Sequence, residues 1–188
     1  MFESPSFELP RYIAHRGAPW LAHENSLASL CAASECGAQW IECDVQLSLD
    51  MEVMVFHDSC LKRMTTVSGK LKRKSCAELQ SLYLKSELVS GNKVEKIPLF
   101  SQWLSCAVKH RLGVNVEIKG GYKRQLLVDS VLSQIKHVWP SNLMPPLLSS
   151  FTISALNYLL TKPMILTWQS MIHHRCQSMI HTCLTLKQ

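Results

Sequence analysis

Four short clusters of ionisable residues could carry chemistry in this sequence: His15-Arg16-Gly17, Glu42-Cys43-Asp44, His57-Asp58 and Glu117-Ile118-Lys119. Glu42 and Asp44 stand two residues apart, as do Glu117 and Lys119, so on a strand each pair projects from one face. Charges on an inward face are costly unless they are paired or bind a metal. Glu42, Asp44 and Glu117 together offer three hard oxygen ligands, which suit Mg²⁺, Ca²⁺ or Mn²⁺ rather than zinc. Arg16 and Lys119 add fixed positive charge for an anion, and a phosphate is the natural fit. His15 and His57 supply two imidazoles, the side chain suited to proton transfer near neutral pH, so one can act as base and the other as acid. The sum is a phosphodiester hydrolysis site with one metal.

Short strands alternating with helices must place these clusters. The pattern predicts strands at 11–15, 40–47, 53–57, 114–119, 147–151 and 164–168. It predicts helices at 26–36, from Pro98 in the first turn to about Arg111, at 122–138 and at 154–160. Gly37 stops the first helix, and Ser75 with Glu78 forms a capping box that opens a short one. Each cluster falls at or near the C-terminal end of a predicted strand, the edge where α/β sheets and barrels build their sites. The alternation argues for a parallel sheet. Residues 58–98 break the rhythm with Lys62, Arg63, Lys70, Lys72, Arg73 and Lys74, and read as an insertion on one βα loop with a solvated basic face.

Composition narrows the class. The chain has 188 residues, 47% of them hydrophobic, with a net charge of +6, which fits one globular domain and excludes disorder. A complete (β/α)₈ barrel typically takes about 250 residues. No run of about 18 apolar residues exists, so no membrane span is expected. Met1–Pro10 holds Glu3 and Glu8 and no apolar stretch, so it does not read as a secretory signal, and a cytoplasmic location is expected. Eight scattered cysteines without a CxxC read as reduced thiols. Aromatics are 7% of the chain and do not interleave with basic residues, so no nucleic-acid partner is expected. No Asp or Glu follows Asp129; the stretch lacks acids rather than gaining bases. His173, His174, Cys176, His181 and Cys183 near its end match no standard zinc module.

In order and spacing, several motifs resemble the glycerophosphodiester phosphodiesterase family over roughly residues 10–165. They are His15-Arg16-Gly17, Glu24-Asn25, Gly37-Ala38 leading to Ile41-Glu42-Cys43-Asp44-Val45, His57-Asp58, Leu61, Arg63, Thr65 and Val116-Glu117-Ile118-Lys119. Ile13–Trp20 is especially similar to bacterial cytosolic members. The resemblance implies an α/β TIM (β/α)₈ barrel of the phospholipase-C-like phosphodiesterase type, with a small insertion after the strand ending at His57. It implies metal ligands at Glu42, Asp44 and Glu117, acid/base histidines at His15 and His57, and phosphate contacts from Arg16 and Lys119. One divalent cation is implied, Mg²⁺ or Ca²⁺, with Mn²⁺ as the third candidate. The implied reaction hydrolyses a glycerophosphodiester, such as glycerophosphocholine or glycerophosphoethanolamine, to sn-glycerol 3-phosphate and an alcohol.

Two other readings stay open: an inactive fragment or pseudoenzyme of this family, and another barrel phosphodiesterase of phospholipase type. The family usually has Asp-Gly where this chain has Asp50-Met51; because Met disfavours positive φ, a rearranged turn is expected there. The usual Thr-Thr is shifted to Met64-Thr65. With about six strands the barrel is expected to be truncated, with a barrel domain at 1–168 and an atypical tail at 169–188 that reads as a foreign frame. The open sheet edges are expected to favour self-association.

Overall fold

The structure, a computed structural model, describes residues 10–85, 94–121 and 123–165. Helix α1 (Leu27–Glu35) starts where the Ser26 side chain accepts from the Ser29 backbone N–H. It ends in a Schellman turn: Gly37 takes φ 86° and the Ala38 N–H reaches the Ala33 carbonyl. Strand β1 (Trp40–Leu47) follows, then β2 (Val53–Val55), α2 (Cys76–Ser81), α3 (Phe100–Lys109), β3 (Gly113–Ile118), α4 (Arg124–Val138), β4 (Leu147–Ser149) and α5 (Ile153–Leu160). The capping box on α2 is formed as expected, by Ser75 and Glu78. Pro98 lies just before α3 rather than in its first turn.

The sheet runs in the order β2-β1-β3-β4. β1, β3 and β4 are parallel, with Asp44 opposite Glu117 and Val116 opposite Leu148. β2 is antiparallel to β1, pairing Val45 with Val55, so the sheet is mixed rather than all-parallel as expected. The cause is the short link 48–52: a parallel return needs a crossover of a dozen residues or more, and a tight turn permits only a hairpin. Asp50 and Met51 lie in that turn. Met51 simply takes the left-handed region, φ 68°, while the Ser48 hydroxyl donates to Asp50 and accepts from the Glu52 N–H, and Asp50 accepts from the Cys76 N–H.

The first expected strand, 11–15, is reduced to one parallel bridge between Ala14 and Ile41. The last, 164–168, is corrected where it can be seen: Pro163–Ile165 are helical, and 166–168 lie outside the described residues. Tyr122 at the expected start of α4 also lies outside them, as does the tail 169–188 with its histidines and cysteines.

Alternation on the strands decides which residues meet the helices. Ile41, Cys43 and Val45 of β1 and Val114, Val116 and Ile118 of β3 are buried against Leu30, Phe100, Trp103, Leu104, Val131 and Ile135. The opposite face carries Glu42, Asp44, Gln46 and Glu117. The insertion has its own apolar centre, in which Met54 and Phe56 pack with Leu61, Met64, Leu71, Leu79, Leu84 and Ile97. Among the described residues no helix is long and apolar enough to cross a membrane.

Candidate active site

The parallel pairing of β1 with β3 sets Asp44 directly beside Glu117, with Glu42 one pleat back on the same face. One ligand atom from each of Glu42, Asp44 and Glu117 lies within 4.8 Å of the others. Asp44 is fully buried and Glu42 nearly so. Lys119 Nζ stands 2.7 Å from Asp44 Oδ1 and 2.5 Å from Glu117 Oε1. Burial would lower its pKa, but the two carboxylates outweigh that and raise it.

The chain after the Ala14 bridge turns sharply through Arg16, φ 57°, and Gly17, φ 92°. Here glycine is required twice over: its φ is left-handed, and a Cβ would lie 2.3 Å from Ser29 Oγ. Ser29 Oγ accepts from the Ala18 N–H and donates to the Arg16 carbonyl, so α1 clamps this turn. The clamped Arg16 backbone N–H donates to Glu42 Oε2 at 2.9 Å. Its guanidinium ion-pairs with Asp44 Oδ2 at 3.2 Å and Glu24 Oε1 at 3.0 Å. His15 is exposed, its Nε2 3.9 Å from Glu42 Oε2.

His57 reaches the site differently from the expectation that it ends a parallel strand. The β1–β2 hairpin carries the chain back beside Asp44, whose carbonyl accepts from the Phe56 N–H. The Gln46 side-chain amide then holds the segment by donating to the carbonyls of Phe56, His57 and Asp58. His57 Nδ1 lies 2.6 Å from Asp58 Oδ1. Arg63 donates to Asp58 and to Glu24, tying this pair back to Arg16. Arg63, with help from His57, outweighs burial and holds the Asp58 carboxyl down at about 2. Gln46, His57, Asp58, Lys119 and Gly120 line one open depression. A second hollow, bounded by Arg11, Tyr12, Cys36 and Gln39 at the other end of β1, holds no comparable cluster.

All seven candidate residues therefore converge on one side of the sheet. Arg16, Glu42, Asp44, Glu117 and Lys119 contact one another directly, His15 stands 3.9 Å from Glu42, and His57 joins them through Asp58, Arg63 and Glu24. Four supporting residues had no role assigned from sequence. Asn25, at φ 62°, donates from Nδ2 to Asp44 Oδ2 at 2.9 Å and accepts from the Asp44 N–H at 3.2 Å. Gln46 continues the 42, 44, 46 alternation, a spacing that could have drawn notice. Glu24 and Arg63 pair across 39 residues of sequence, which no local pattern reveals.

The donor set fits a hard divalent cation. Glu42 Oε1 is buried with no hydrogen-bond partner, an acceptor without a proton or a cation to face. Burial, and then the neighbouring Asp44 charge, push the Glu42 carboxyl up to about 7. Three clustered carboxylates that lack enough counter-charge are what a resident cation would neutralise.

Known proteins resemble this chain in sequence and in fold. A phosphodiesterase of Oleispira antarctica, solved in complex with the product sn-glycerol-3-phosphate, is 35% identical, with a TM-score of 0.75 over 80% of this chain and 61% of its own. A glycerophosphodiester phosphodiesterase of Caldanaerobacter subterraneus is 34% identical over 109 residues, 58% of this chain and 45% of that protein. The uncharacterized protein YqiK of Bacillus subtilis is 32% identical over 129 residues, 68% of this chain and 53% of that protein. The chain thus spans about half the length of the curated relatives it matches. The fold is TIM-barrel-like, and the described residues supply a four-stranded mixed portion of it. The sequence profile of the glycerophosphoryl diester phosphodiesterase family matches residues 15–177, running from the first catalytic candidate into the acid-free tail. On this evidence the chain belongs to the glycerophosphoryl diester phosphodiesterase family.

Proposed function

We propose that the chain hydrolyses glycerophosphodiesters to sn-glycerol 3-phosphate and an alcohol. The observation that carries this reading is the convergence of three carboxylates, two fixed cations and two histidines on one face of the sheet. Glu42, Asp44 and Glu117 would hold one divalent cation, Mg²⁺, Ca²⁺ or Mn²⁺. When bound, it supplies charge neutralisation at the phosphoryl oxygens. Arg16 and Lys119 border that position and would bind the non-bridging phosphate oxygens. Asp58, kept ionised by Arg63, accepts from His57 Nδ1–H and so leaves Nε2 free to take a proton. His57 then serves as base toward the attacking hydroxyl, whether glycerol 2-OH or water. His15, exposed beside Glu42, returns a proton to the departing alcohol oxygen.

A coupled assay of glycerol 3-phosphate release from glycerophosphocholine, with and without each cation, tests the proposal. Loss of turnover in Glu42→Ala and His15→Ala is expected; unchanged turnover in either would refute the site assignment. A non-catalytic role is the second reading, and it expects no turnover with any diester. Two finer readings belong here. Six free cysteines among the described residues support a reducing, cytoplasmic setting. Among the described residues β4 has a strand partner on one side only, which supports self-association through that edge.

A further inference from the structure

On the helix side of the sheet, away from the carboxylates, Cys31 of α1 faces Cys106 and His110 at the C-terminal end of α3. Cys31 Sγ lies 3.9 Å from Cys106 Sγ and 3.6 Å from His110 Nε2. All three ligand atoms fall within 4.8 Å of one another, and each residue is half-buried. A tetrahedral zinc ion with Zn–S of about 2.3 Å and Zn–N of about 2.0–2.1 Å requires ligand separations of about 3.8 Å between sulfurs and about 3.6 Å between sulfur and nitrogen. The Cys31–Cys106 and Cys31–His110 distances match these values, and Cys106 Sγ and the His110 ring nitrogen lie within 4.8 Å of each other.

The imidazole is also oriented. His110 Nδ1 stands 3.2 Å from Ser34 Oγ, so the hydroxyl can accept Nδ1–H and leave the Nε2 lone pair aimed at the thiols. Metal-bound histidines usually have such a partner on the far nitrogen. Cys106 and His110 are four apart at the end of one helix, the spacing that puts two ligands on one helical face. Without a cation, a chain of two hydrogen bonds, Cys106 to Cys31 and Cys31 to His110, would join the same three groups; a tetrahedral ion replaces both with direct ligation.

We propose that Cys31, Cys106 and His110 form a second cation site, for a borderline-soft ion of the zinc class, which staples α1 to α3 and leaves one coordination position to solvent. The ligand chemistry separates it from the hard carboxylate site, since thiolate and imidazole select zinc-like ions while carboxylates take Mg²⁺ or Ca²⁺. Because α1 also clamps the Arg16–Gly17 turn through Ser29, the staple would stiffen the element that positions Arg16.

The probe is Co²⁺, titrated anaerobically into the full, metal-free chain with a non-thiol reductant and excess Mg²⁺ to occupy the carboxylates. Expected are a thiolate-to-cobalt charge-transfer band and intense tetrahedral ligand-field bands, saturating at one ion per chain and bleached by Zn²⁺. Both persist in Cys176→Ser/Cys183→Ser and vanish in Cys31→Ser/Cys106→Ser. Ser34→Ala weakens the apparent affinity tenfold or more. Absence of the band from the wild-type chain, or its survival in Cys31→Ser/Cys106→Ser, overturns the site. Should that double variant fail to fold, His110→Ala decides: wild-type affinity and spectrum there overturn it equally.

Discussion

Asn25 offers the sharpest test of how the site is held. Its side chain makes two hydrogen bonds to Asp44, a fully buried carboxylate, at 2.9 and 3.2 Å, and its own backbone sits at φ 62°. Removing the first bond, made to a charged acceptor, costs about 1.5–3 kcal/mol, and the second about 0.5–1.5 kcal/mol. The left-handed backbone adds about 1 kcal/mol for any residue with a Cβ that lacks the tolerance of asparagine. Asn25→Ala is therefore expected to lose about 4 kcal/mol. Asn25→Gly loses both hydrogen bonds but not the backbone tolerance, so it should lie about 1 kcal/mol above Asn25→Ala in stability. Urea unfolding of the metal-free chain at neutral pH, followed by far-UV circular dichroism, measures both. Divalent-cation affinity should also fall about 10–100-fold in both variants, because the carboxylate loses the partner that orients it. The reasoning fails if Asn25→Ala unfolds within about 1 kcal/mol of wild type, or if glycine and alanine are equally destabilising.

Three further outcomes follow from the same geometry. Gly17→Ala must adopt φ 92° and push its Cβ to 2.3 Å from Ser29 Oγ; a loss of about 3 kcal/mol or more in the same unfolding assay is expected. The Asp58 carboxyl is depressed to about 2 in the folded chain, so its contribution is full above about pH 4 and is lost as pH falls toward 2. Screening of this partly exposed pair limits that contribution to about 1 kcal/mol. Acid titration monitored by tryptophan fluorescence should therefore show less loss between pH 4 and 2 in Asp58→Asn than in wild type, and equal slopes would contradict the ion-pair reading. Replacing His57 by Asn should lower kcat for glycerophosphocholine by about 10²–10⁴-fold while leaving the melting temperature within a few degrees, as expected of a proton-transfer group.

Much of the local structure can be read from short-range signals. Ser26 and Gly37 bracket α1, Ser75 and Glu78 open α2, and strict alternation in Glu42-Cys43-Asp44 puts the carboxylates on one face and Cys43 in the core. These are properties of neighbours along the chain, so the sequence determines them. The reversal of β2 is also implicit in its five-residue link, but counting strands and helices hides it, because alternation alone does not distinguish a hairpin from a crossover. The turn at Met51 shows the opposite limit. Propensity disfavours positive φ for Met, yet hydrogen bonds from Ser48 and Asp50 overdetermine the turn and hold it there.

What the sequence by itself determined is the identity of the reacting groups: which carboxylates, cations and histidines are present, and which of them share a strand face. Only the tertiary structure decided their partners. The Glu24–Arg63 pair, the Asn25 clamp on Asp44, the three-carbonyl grip of Gln46 and the Cys31–Cys106–His110 cluster each join segments 10 to 79 residues apart. Such contacts depend on strand register, helix packing and the path of one hairpin. Those are set by burial of the whole apolar face, and no local periodicity encodes them.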